Sequence, residues 1–152
     1  MPAANRTNME RRCLPVEYST REEGVELYIE GYFAVFNSPY EFWPGATEII
    51  LPGAFDDSVS GDVRALVNHN TDLVLGRTRA GTLTLTQDSR GLWGRITINQ
   101  EDRAAMDLYA RVKRGDVSQC SIGFEIESER FIELGDGKCR WEIEKVNPLY
   151  EV

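Results

Sequence analysis

Histidine is almost missing: His69 is the one imidazole in 152 residues. A multi-histidine metal site within the chain is thereby excluded, and imidazole acid–base chemistry within one subunit falls to His69 alone. Cysteine is scarce too. Cys13, Cys120 and Cys139 are the three thiols, an odd number whose spacing fits neither a disulfide framework nor a zinc site. A reducing, cytoplasmic setting is the simplest expectation. Positive charge is in deficit, with 17 Lys plus Arg against 25 Asp plus Glu and a formal net charge of −8. That balance argues against nucleic acid as the main partner, because duplex binding needs clustered cations. No apolar run approaches the roughly 18 residues of a membrane span. The opening MPAANRTNMERRC carries positive charge without an apolar region behind it, so it is no secretory signal. Hydrophobic residues at 41% and charged residues at 28% suit one packed domain, not a disordered chain.

What is present is mainly strand periodicity. Residues 1–14 are polar, include Arg6, Arg11 and Arg12, and show no period. They are expected to be a flexible N-terminal arm ahead of a domain over residues 15–152. Val25, Leu27 and Ile29 alternate with Glu26, Tyr28 and Glu30, as in a half-buried strand that runs on through residues 31–36. Residues 37–53 contain Pro39, Pro44 and Pro52 and read as a long loop. Its Tyr40, Phe42 and Trp43 form either a contact surface or a cover for the core edge. Residues 54–59 suit a short helical turn. Residues 63–67 read as a strand leading to Asn68-His69-Asn70, with a short apolar segment at 73–75. Residues 82–86 and 92–98 flank turn chemistry at 87–91 and make a hairpin. One helix is expected over about 100–114, with Asn99 as N-cap, acidic Glu101 and Asp102 in its first turn, and Gly115 just past its end.

Residues 117–126 return to strand. Ser118, Cys120, Ile122, Phe124 and Ile126 share one face, and Gln119, Ser121, Gly123 and Glu125 the other. Residues 131–134 and 140–146 flank the turn Gly135-Asp136-Gly137-Lys138. Residues 149–152 begin a last strand, and the chain stops inside it, which is expected of a truncated or trimmed end. Many short strands, one helix and no βαβ alternation favour an antiparallel β-barrel or sandwich with a peripheral helix.

A serine nucleophile needs a base within hydrogen-bond reach, and the base needs a group to orient it. His69, Ser121 and the carboxylates of the C-terminal strands are the material for such a site. By residue type alone, a lone histidine is more often structural than catalytic, and a strand serine is more often a small polar filler.

The motifs are more specific. GYFAVF at 31–36, ILPGAF at 50–55, VNHN at 67–70 and LG at 75–76 are followed by GTLTLTQDSRGLWGRITI at 81–98, SIGF at 121–124 and LYEV at 149–152. In this order the set resembles the prohead proteases of tailed phages, capsid-maturation serine proteases distantly similar to herpesvirus assemblins. The resemblance implies an antiparallel β-barrel like the herpesvirus protease fold and a serine endopeptidase that processes capsid or scaffold protein during head maturation, with self-cleavage. It implies His69 as general base and Ser121 as nucleophile. Assemblins use a second histidine as third member. The phage family resembles a version with an acidic residue, for which Glu151 is the choice and Glu142 and Glu144 are the fallbacks, each otherwise a solvated strand residue. Gly123 is either a place where substrate backbone approaches closely or a bulge glycine, about equally. Oxyanion donors are required, and the resemblance assigns them to the segment after LYEV. Activity is expected to fall below about pH 6 to 7, because an imidazolium cannot act as base.

Further implications are a major capsid or scaffold protein as partner, a dimer by analogy with assemblins, no cofactor, and a location in the host cytoplasm inside the assembling procapsid. Two other classes compete. One is a non-enzymatic, capsid-associated scaffold or structural module with a decayed protease fold. The other is a cysteine hydrolase using Cys120 and His69. Cys120 is the more nucleophilic atom, but it shares the apolar face with Ser118, where a structural thiol is inert.

Overall fold

A computed structural model describes residues 9–14 and 17–152. Its strands are β1 (Glu10–Leu14), β2 (Glu17–Glu23), β3 (Glu26–Val35), β4 (Tyr40–Trp43), β5 (Ala46–Ile50), β6 (Arg64–Val67), β7 (Asn70–Arg77), β8 (Leu83–Gln87), β9 (Gly91–Thr97), β10 (Cys120–Gly135) and β11 (Lys138–Glu151). One α-helix, α1 (Arg103–Arg114), joins them, with a short 3₁₀ turn at Thr78–Ala80. The mainly β architecture with a helix follows the periodicity, but the closed barrel does not form. There are two open sheets. One runs β1-β10-β11-β5-β4, with β6 also on β11 and β7 on β6; the other is β2-β3-β9-β8. The first sheet is mixed, because β5 and β6 both pair in parallel with β11, at different points along it. Among the described residues its outer strands do not pair, so no ring of hydrogen bonds closes.

The core lies between the sheets. Phe55, Leu92, Ile122, Phe124 and Ile143 are fully buried there, each such side chain contributing about 1.5–3 kcal/mol. Helix α1 packs on the second sheet, where Tyr109 Oη donates to Glu22 at 3.2 Å. Its N-cap is Asp102, which accepts from Ala104 N, and not Asn99. Asn99 instead caps the turn before it, accepting from Glu101 N at 3.1 Å. Gly115 takes the left-handed C-cap conformation, φ 90°, as expected of glycine there.

Several segments depart from the periodicity reading, among them β2, where no strand is expected, and β11, which joins the expected pieces at 140–146 and 149–152. The expected long loop at 37–53 contains β4 and β5, whose ladder fits between its prolines: Pro39, Pro44 and Pro52 all fall outside the strands. The expected strand pieces at 117–126 and 131–134 are one strand, β10, carried past its irregular positions by bulges against β11. The expected flexible arm is corrected at Glu10–Leu14, which is β1, antiparallel to β10; residues 1–8 of that arm, and the expected domain start at residue 15, lie outside the described residues. The anchor of β1 is Arg12. Its guanidinium is 5% exposed, donates to Glu48 on β5 at 2.7 Å and to Glu10 at 2.7 Å, and lies 5.0 Å from the Phe42 ring centroid.

Candidate active site

His69 sits at the tip of the β6–β7 hairpin. Asn68 (φ 52°) and His69 (φ 56°) are its two central residues, between the pair Val67 and Asn70. A two-residue hairpin loop of this kind requires positive φ at both centres, and Asn and His tolerate that region better than most residues. Asn70 Oδ1 accepts from Asp72 N at 2.9 Å. Register then jumps from Val67–Asn70 to Leu66–Val74, so residues 71–73 bulge away and the imidazole stands at the very end of the hairpin.

The hairpin is docked onto the end of β11. Glu151 pairs with Arg64 in parallel. Val152 N donates to Arg64 O at 2.9 Å, and Leu66 N donates to Val152 O at 2.9 Å. This backbone clasp brings His69 to Glu151, 82 positions away, and His69 Nδ1–H donates to Glu151 Oε1. The Glu151 carboxylate is 4% exposed. A second charge reaches it from β1: Arg11 Nε lies 3.4 Å from Glu151 Oε1. Arg11 had no signal in the sequence beyond membership of a polar stretch.

Across the ladder, Glu151 pairs with Gly123. A Cβ at Gly123 would stand 2.6 Å from Glu151 Cγ and 2.7 Å from its Oε1. The glycine therefore makes room for the carboxylate, and it also stands at a register shift of the β10–β11 ladder, between Gly123 and Phe124, as expected of a bulge glycine. Ser121 lies two residues earlier on the same face of β10, opposite Cys13 of β1. Ser121 and His69 both line one cavity of about 430 Å³.

The other candidates stand elsewhere. Glu142 is no solvated residue: it is 5% exposed and held by Arg130 at 2.8 Å and Arg140 at 2.6 Å. Glu144 accepts from Ser128 Oγ at 2.8 Å and pairs with Arg130 at 2.8 Å. Neither reaches His69. Cys120 shares the cavity with Ser121, but burial, then the neighbouring Cys13 thiol, pushes its thiol up to about 12. It stays protonated near neutrality and offers no thiolate. Ser118 is exposed and outside the cavity wall. Among the described residues no group of three His, Cys, Asp or Glu side chains is arranged to hold a metal.

A family model described as Caudovirus prohead serine protease matches residues 15–152. The chain belongs to this family. It is 29% identical over 120 residues to the prohead protease of Enterobacteria phage HK97, covering 76% of this chain and 50% of that one. The chain thus spans about half the length of this curated member of the prohead protease family. It is also similar to the bacteriophage T4 capsid assembly protease, at a TM-score of 0.46 and 11% identity, over 95% of this chain and 97% of the other.

Proposed function

We propose that this prohead protease-family chain is a serine endopeptidase acting on capsid or scaffold protein, and on copies of itself, inside the assembling procapsid. Ser121 is the nucleophile, His69 the general base and Glu151 the group that orients it. The observation that carries this reading is the buried Glu151 carboxylate accepting from His69 Nδ1–H, with Ser121 on the wall of the same cavity.

A neutral imidazole with its proton on Nδ1 keeps the lone pair on Nε2. That lone pair takes the Ser121 proton as Oγ attacks the peptide carbonyl. The tetrahedral intermediate collapses to an acyl-enzyme, and His69 returns the proton to the leaving amine. Water, activated by the same imidazole, then releases the acid product. Glu151 holds the tautomer and stabilises the imidazolium at each stage without itself being protonated.

The test is cleavage of a co-expressed capsid protein by the parent chain and two variants. Ser121→Ala is expected to lose at least about 10⁴-fold in rate, and Cys120→Ala to cleave like the parent. Loss in Cys120→Ala alone would transfer the nucleophile to the thiol. Cleavage retained in both variants would end both hydrolase readings and leave the non-enzymatic scaffold module.

A further inference from the structure

The cavity beside Ser121 is larger than proton transfer between two side chains requires, and its interior is apolar. Its floor is made by Ile29, Phe33, Leu75 and Ile96, all buried core residues, and Leu108 of α1 closes one side. Its polar lining is of a different kind: Asn68, Arg111 and Gln119 are exposed and stand where the cavity meets solvent, and half-buried Tyr18 spends its hydroxyl on Gln119 O at 2.8 Å. Protein interiors leave few voids larger than a water molecule. An apolar void forfeits dispersion contacts on every wall, and it gives water too few partners to fill it well. An open volume of about 430 Å³ with such a floor is shaped for an apolar group that arrives from outside.

We propose that this cavity binds a large apolar side chain of the peptide substrate, on the acyl side of the bond that Ser121 attacks. The inference rests on Ser121 being the nucleophile, because the serine on the wall is what ties the occupant to the scissile carbonyl. A peptide whose apolar side chain drops to the floor has its backbone held at the rim, beside Ser121 and His69. The desolvated floor offers a charged side chain no partner, so acidic and basic residues are rejected there.

The experiment presents the full chain with a peptide library varied at each acyl-side position, and separately with diisopropyl fluorophosphate, a serine reagent that carries no peptide side chain. The expected result is labelling of Ser121 together with a preference for Leu, Met or Phe over Ala at one position, by roughly 10-fold or more in kcat/KM. Leu108→Trp, which fills the cavity, is expected to reverse that order toward small residues in a competition between library members. Leu108→Ala, which enlarges it, is expected to favour the largest members and serves if the tryptophan variant does not fold. Labelling of Ser121 with no apolar preference at any acyl-side position, or with an acidic or basic preference, overturns the cavity's role and leaves the nucleophile standing. Absence of both labelling and cleavage removes the nucleophile and the cavity's role together.

Discussion

At the scale of single residues, the site depends on side chains that are small or charged where their neighbours need them so. Gly123 is the sharpest case. Its missing Cβ is the space that Glu151 occupies, so Gly123→Ala is expected to push the carboxylate off His69 with the strands intact. Misplacement of about 1 Å costs roughly 10²-fold in rate; a loss of that size with an unchanged circular dichroism spectrum is the outcome to look for. Arg11 makes a second prediction. Its guanidinium draws on the same carboxylate oxygen as the imidazole. Arg11→Ala removes that contact. The Arg11 side chain is 53% exposed, so solvent screens the pair, and the expected loss in cleavage rate is roughly 1.5- to 5-fold, shrinking with added salt. A rate equal to the parent's at low salt would show that Arg11 is a bystander. His69 stood out as the one imidazole of the chain, and Ser121 through the motif that it opens. Arg11 was not legible, because nothing local in MPAANRTNMERRC points to a carboxylate 140 positions further on.

At the scale of elements, periodicity missed β1, β2, β4 and β5, and β1 shows why. Five residues without an apolar stripe do not specify a strand by themselves. Besides its ladder with β10, β1 is held by a non-local ion pair: Arg12 reaches past β10 and β11 to Glu48 on β5, and both side chains are buried. Removing one partner of such a pair strands the other charge away from water. Arg12→Ala is expected to cost about 3–5 kcal/mol, measured as a fall in the urea midpoint, whereas Arg12→Met combined with Glu48→Leu should recover most of it. A loss below 1 kcal/mol in the single variant would show that Glu48 is hydrated after all. The hairpin of β8 and β9 needed no such help to be read from sequence. Its alternation and its turn residues are adjacent in the chain, and the ladder from Leu83–Ile96 to Gln87–Leu92 follows directly. β4 and β5 were hidden by three prolines that bracket the strands without entering them.

For the whole molecule, the decisive feature is that both ends of the described chain converge on one strand, β10, while the middle supplies the histidine. β1 lies on one side of the Ser121–Gly123 stretch and β11 on the other, and β6 is clasped to the last two residues of β11. Deleting residues 149–152 is expected to remove Glu151, release the β6–β7 hairpin and expose the core around Leu149, which is 3% exposed. The readouts are lost cleavage and fast hydrogen exchange at the Leu66 amide; continued slow exchange there would show that the hairpin holds without the clasp. Composition and periodicity alone determined that the chain is a mainly β domain with one helix, and motif order marked Ser121, His69 and Glu151 for attention. Those properties are local: each depends on a residue and its near neighbours in sequence. Only the tertiary structure decided that the sheets stay open, that the carboxylate beside the histidine is Glu151 and not Glu142 or Glu144, that Gly123 leaves space for that carboxylate, and that a cavity with an apolar floor opens beside the serine. Strand order, parallel or antiparallel pairing and register are set by contacts between residues far apart in the chain, and no pattern within a single strand encodes which partner it will meet.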